Sequence, residues 1–102
     1  MKRGYIRVRR DGRVVLYFNL PVTDPTAPVT EKVHFPVRAI IGGQVVAEQF
    51  AKKNRVSLSF ILPHWVGEGK HLLEVRDVDN KLLAVYVLEV YSRGWGDMVI
   101  EV

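Results

Sequence analysis

The chain has 102 residues, 48% of them hydrophobic and 25% charged, with a formal net charge of +4 and no cysteine. That length suits a single domain, residues 1–102, around one hydrophobic core, and the composition excludes a disordered chain. The missing cysteines exclude a disulfide scaffold and a Cys-ligated zinc site without choosing between cytoplasm and virion as compartment. No run approaches the roughly 18 apolar residues of a membrane-spanning helix, so no membrane partner is expected. Charge is concentrated at the start: Lys2, Arg3, Arg7, Arg9, Arg10 and Arg13 stand against Asp11 alone, a local charge of +5, and the other residues are close to neutral. A basic ribbon follows from this, not a basic surface as a whole.

The first residues, Met1-Lys2-Arg3-Gly4-Tyr5-Ile6-Arg7, alternate arginine with β-branched and aromatic side chains. They read as a strand and not as a secretory leader, which needs a continuous apolar stretch. Eighteen valines, with Ile, Tyr and Phe in short runs broken by Gly, Pro, Asn and Asp, extend the strand pattern along the chain. Strands are expected over residues 5–10, 13–20, 32–41, 44–50, 55–62, 70–77, 81–91 and 98–102. A short helix over 44–54 is the minor alternative to the fourth. Asp11-Gly12 and Gly42-Gly43 are placed to form two-residue hairpin turns, and Val78-Asp79-Asn80 a slightly longer one.

Pro21, Pro25 and Pro28 interrupt any ladder over 21–31, which reads as a long loop crossing between sheets. Pro36 marks the third strand as an edge or a bulge near its start. Val14-Val15-Leu16-Tyr17-Phe18 is apolar on both faces, as in a central strand covered on both sides. Eight strands joined by hairpins and one proline loop predict an antiparallel sandwich of about seven to eight strands, with a closed barrel as the alternative. The expected core comprises Leu16, Phe18, Ile40, Val56, Leu58, Phe60, Leu73, Val75, Val85 and Val87.

One stretch adds to this. Val56-Ser57-Leu58-Ser59-Phe60-Ile61-Leu62-Pro63, followed by Gly67-Glu68-Gly69-Lys70-His71-Leu72-Leu73-Glu74-Val75-Arg76-Asp77 and by Asn80-Lys81-Leu82-Leu83-Ala84-Val85-Tyr86-Val87, resembles the final strands of immunoglobulin-like domains. The pattern of strand, Pro, Gly-x-Lys, strand, Asp-Asn and strand is similar to that of bacterial surface modules and of phage tail and baseplate proteins. The resemblance covers residues 56–90 and implies an immunoglobulin-like β-sandwich. The Cys and Trp landmarks of antibody-type domains are missing, which sets that subfamily aside.

Candidate chemistry is sparse. His34, His64 and His71 follow no metal-ligand spacing, so no metal and no cofactor are expected. Ser57 and Ser59 alternate with Val56, Leu58 and Phe60 as the outward face of a strand, with no nucleophile motif around them. Glu74, Asp77 and Asp79 form an acidic cluster, but turns use such aspartates to bond their own backbone. Gly67-x-Gly69 lacks the helix a phosphate cradle needs. None of these patterns points to catalysis, and the chain reads as a non-enzyme.

The tryptophans carry more information. Each lies in a Gly-flanked loop, His64-Trp65-Val66-Gly67 and Arg93-Gly94-Trp95-Gly96, and an up-and-down strand count puts both at one end of the sandwich with Asp11-Gly12 and Gly42-Gly43. The structural alternative is that Trp65 or Trp95 folds back to close the core. His64, Trp65, Arg93 and Trp95 are therefore candidate partner-binding residues, since Trp and Arg are enriched at interface hot spots. Residues 97–102 are strand-like to the last position, so they must pair with an edge; the basic first strand is the natural acceptor, with Arg7 or Arg9 opposite Glu101, within one chain or between chains. The reading that unites these features is a non-catalytic assembly or interaction module that docks on copies of itself or on another protein, as in a virion or a surface appendage. The alternative is a small basic β protein that binds nucleic acid through its Arg-rich first strand and its loop aromatics.

Overall fold

A computed structural model describes residues 2–19, 36–50, 55–92 and 98–101 of the chain. Among these, eight strands form: β1 (Lys2–Arg9), β2 (Arg13–Asn19), β3 (Val37–Ile41), β4 (Gln44–Gln49), β5 (Arg55–Ile61), β6 (Gly69–Arg76), β7 (Leu82–Tyr91) and β8 (Met98–Glu101). They make two sheets, one in the order β4-β3-β6-β7-β1-β8 and one of β2 with β5. The chain is all-β, with no helix among the described residues, and its strands form two sheets and not one closed barrel.

Alternation explains the small sheet. In β5, Val56, Leu58 and Phe60 are buried and Ser57 and Ser59 exposed; antiparallel pairing sets Leu16 opposite Leu58, Val14 opposite Phe60 and Phe18 opposite Val56. The buried face of this ribbon joins Ile6, Val8, Val37, Ala39, Ile41, Leu73, Val75, Ala84, Tyr86, Leu88 and Val90 of the large sheet in one core cluster. Each fully buried Leu, Ile or Val contributes roughly 1.5–3 kcal/mol relative to an exposed one, which makes this face-to-face contact the main source of stability.

Two turns form as their chemistry requires. Gly42 and Gly43 both have positive φ (57° and 78°) and close the two-residue hairpin between β3 and β4. At the β6–β7 turn the buried Asp77 accepts hydrogen bonds on Oδ1 from the amides of Asp79 and Lys81, both 2.9 Å, and Asn80 takes φ 66°. The third turn differs from expectation. Asp11-Gly12 does not close a ladder hairpin, because β1 lies in the large sheet and β2 in the small one; it is a corner between sheets.

Several other expectations are corrected. The large sheet is mixed, not antiparallel, because β1 runs parallel to β7 over its whole length, from Lys2 opposite Ala84 to Arg9 opposite Tyr91. Strand β3 begins after Pro36 and lies between β4 and β6, so the proline ends the strand's reach and does not make it an edge. The bulge of that hairpin falls on β4, where Ala47 and Val45 oppose Ala39 and Ile40 and leave Val46 extra. Strand β2 is not covered on both sides: Val15 and Tyr17 are exposed.

Of the expected core, Ile40, Val85 and Val87 lie on the outer face and are only half-buried, their places being taken by Ala39, Ile41, Tyr86 and Leu88. Strands β3 and β7 are apolar on both faces, so their own sequence does not choose a side. The partners choose, since Leu73 and Val75 of β6 face inward and their register neighbours Tyr86 and Ala84 follow. The expected loop over 21–31 lies outside the described residues, although the strands it connects belong to different sheets.

Leu73→Ala should therefore cost about 2–5 kcal/mol in chemical denaturation. Val87→Ala should cost about 1 kcal/mol or less, and comparable losses at the two positions would show that the faces are reversed. Removal of residues 98–102 strips β8 from β1; the shortened protein should melt lower and aggregate, and an unchanged melting temperature would show that β8 contributes nothing.

Candidate functional site

Parallel pairing brings the C-terminal ends of β1 and β7 together, and β6 starts beside them with Gly69 opposite Val90. The corner after β1 and the 62–68 connection after β5 therefore meet at one end of the molecule, as the strand count anticipates. Three backbone hydrogen bonds lock them: Arg10 N–H to Tyr91 O at 2.7 Å, Gly12 N–H to Arg9 O at 2.8 Å, and Leu62 N–H to Gly12 O at 2.8 Å. The Gly42-Gly43 tip points the same way but falls short, since Ile41 is already opposite Leu73, four residues inside β6.

The Trp65 loop is built from its flanks. Leu62 and Val66 are buried in the core, and Val66 N–H donates to Pro63 O at 3.0 Å, which makes His64 and Trp65 the central residues of a tight turn. Both are pushed outward. The Trp65 side chain is 50% exposed, so Val66, and not Trp65, fills the end of the core. His64 Nδ1 lies 3.4 Å from Asp11 Oδ1, both side chains being well exposed, a contact worth little in water that ties the two loops loosely. His71 lies half-buried at the same end, its Nε2 bonded to Gly67 O at 2.8 Å.

The other candidates separate. Arg93 and Trp95 lie outside the described residues. Arg7 and Arg9 project from the outer face of the large sheet. Arg7 is held over the Tyr91 ring, 4.3 Å from its centroid, with Nε 3.5 Å from Glu89 Oε1. Strand β8 does pair antiparallel with β1 within the chain, but Glu101 is opposite Gly4, and Met98 is opposite Arg7. The expected Arg–Glu101 pairing does not occur, because the register is set three residues away from it. Glu89, on the neighbouring β7, takes the position opposite Arg7 instead.

Two features escape a sequence reading. One is the clamp of Leu62 and Val66, whose signal is an apolar residue on each side of Pro63-His64-Trp65. The other is the outer face of the small sheet, where Val15, Tyr17 and Ile61 are each more than half exposed and Arg13 Nη1 donates to Ser59 Oγ at 2.8 Å. The alternation of β5 predicts it once β2 is paired with β5.

Gly12 is the sensitive point of this end. A Cβ there would lie 2.7 Å from Arg9 O and 3.1 Å from Val8 Cγ2, inside the bond that closes the corner. Gly12→Ala should destabilise by about 1–3 kcal/mol and loosen the Trp65 loop. The check is the Trp65 emission in a Trp95→Phe background together with the melting temperature; an unchanged pair of values would mean that the corner relaxes freely.

Comparison of the chain with protein-family models, with curated proteins and with solved structures returned no match.

Proposed function

We propose that the chain is a non-catalytic assembly module of immunoglobulin-like build, which docks through its Trp65 end on protein, either further copies or a larger structural protein such as a virion or surface-appendage component. The observation that carries this reading is an indole half exposed on a loop whose neighbours Leu62 and Val66 are fixed in the core. Such an aromatic presents a large apolar area with little conformational freedom left to lose on binding. Arg10, Asp11 and His64 around it are exposed and provide a polar rim.

The non-catalytic part is supported by how the polar groups are used. Asp77 serves the β6–β7 turn, Ser59 accepts from Arg13, Glu74 is paired with Arg76 at 2.6 Å, and His71 bonds a backbone carbonyl. The immunoglobulin-like part is supported by two sheets around one core and by a chain that changes sheets at β1–β2, β2–β3, β4–β5 and β5–β6. Nucleic-acid binding through the first strand is the weaker reading, because Arg7 is already engaged by Glu89 and Tyr91.

The test is solution mass by light scattering as salt is raised from about 50 to about 500 mM, for the protein and for Trp65→Ser. An assembly that holds at high salt and is lost in the variant is expected. A monomer that binds a single-stranded oligonucleotide, with affinity falling steeply as salt rises, would overturn the proposal in favour of the nucleic-acid reading.

A further inference from the structure

The exposed face of the β2–β5 ribbon carries four cross-strand rows: Arg13 with Ile61, Val15 with Ser59, Tyr17 with Ser57 and Asn19 with Arg55. All eight side chains are exposed. The middle and one corner are apolar, Val15, Tyr17 and Ile61 being 54%, 53% and 52% exposed. An arginine stands at each end, six residues apart along β2, which is about 20 Å. Neither strand contains a carboxylate.

This differs from the outer face of the large sheet, where Arg7, Arg38 and Arg76 meet Glu89, Glu48 and Glu74. On the ribbon the charge is uncompensated: among the described residues neither Arg13 nor Arg55 meets an acid. Arg13 is held against the face by its bond to the Ser59 hydroxyl, which leaves its other N–H groups for an incoming acceptor.

We propose that this face is a docking surface for an extended, acidic segment of a partner protein, with Arg13 and Arg55 binding a carboxylate at each end and the Val15–Tyr17 strip receiving apolar side chains between them. An extended chain presents every second side chain to one face at about 7 Å intervals, the spacing of the four rows. The complementary segment reads acid, apolar, apolar, acid at alternate positions. Charge-assisted pairs to guanidinium groups and burial of the apolar strip then act together.

A second copy does not fit the face, since ribbon against ribbon would oppose arginines on a chain whose net charge is already +4. A nucleic-acid strand fits less well than a peptide, because stacking needs successive rings and the rows beside Tyr17 offer Val15 with Ser59 and Asn19 with Arg55. The proposal rests on the reading of the chain as a protein-docking module but uses residues other than Trp65.

The probe is a capped synthetic heptapeptide, Glu-Ser-Val-Thr-Val-Ser-Glu, titrated into the full-length isotope-labelled protein and followed by amide chemical shifts. Shifts confined to β2 and β5 are expected, with an affinity of roughly millimolar order for so short a ligand. Arg13→Glu with Arg55→Glu should weaken binding about tenfold or more, about 1.4 kcal/mol, with the amide spectrum otherwise preserved, and Tyr17→Ser should weaken it independently. A peptide with Lys in place of both Glu should bind more weakly than the acidic one. Trp65→Ser should leave the titration unchanged, so that loss of assembly in that variant and loss of peptide binding in the arginine variants are separate outcomes. The proposal is overturned by equal binding of the Lys and Glu peptides, by no shift up to the solubility of the peptide, by concentration-dependent broadening of β2 without peptide, or by tighter binding of an oligothymidylate at the same amides.

Discussion

The parallel pairing of β1 with β7 is the constraint on which the rest of the architecture depends. It inserts the first strand between the C-terminal strand and the body of the large sheet, giving β8 its only partner among the described residues. It also sets the ends of β1 and β7 side by side, so that the corner at Asp11-Gly12 lifts the chain into the second sheet where the 62–68 connection can bond to it. An antiparallel β1 would carry Arg9 and its corner to the opposite end of the molecule. The Trp65 loop would then lose the Leu62–Gly12 bond that steadies it.

The two sheets handle their outer faces differently. On the large sheet Arg7 and Arg38 are matched by a glutamate on a neighbouring strand and Arg76 by Glu74 of its own strand, and Arg7 also covers the Tyr91 ring. Such exposed pairs contribute little to stability individually, but they leave a face with balanced charge. The ribbon has serine where the large sheet has glutamate, so its arginines and its apolar strip are left for a partner. The Trp65 end and the ribbon face thus differ in chemistry, one exposing an indole beside polar side chains and the other an apolar strip with an arginine at each end.

Strand number, the two turns at Gly42-Gly43 and Val78-Asp79-Asn80, and the inward face of β5 and β6 were legible in the sequence, because there alternation and turn chemistry agree; in β2, apolar on both sides, pairing with β5 was needed to show that Val15 and Tyr17 face outward. The faces of β3 and β7 were not. Val37-Arg38-Ala39-Ile40-Ile41 and Leu82-Leu83-Ala84-Val85-Tyr86-Val87-Leu88 offer apolar side chains to both sides, and only register with β6 decides between them. The β1–β7 pairing was equally hidden, since nothing local marks a strand as parallel. At the candidate site, the position of His64 and Trp65 followed from strand count, whereas the exposure of Trp65 depended on Val66 winning the place in the core. The pairing of β8 with β1 was anticipated from the strand-like pattern of the last residues, but its register was not, since Met98 and not Glu101 is opposite Arg7.

The same parallel pairing shapes how the chain must fold. Lys2 meets Ala84 across 82 positions of sequence, among the least local contacts the chain makes. Loop closure over that distance is entropically unfavourable until other contacts have already drawn the ends together, so β1 is expected to dock late, onto a preformed β3-β6-β7 meander. Until then Ile6 and Val8 are apolar side chains on an unpaired strand, the kind of segment that recruits other chains. Arg3, Arg7 and Arg9 alternate with them. During that interval the basic ribbon at the start of the sequence acts as a repulsive guard, keeping nascent first strands from pairing with one another before β7 exists to receive them.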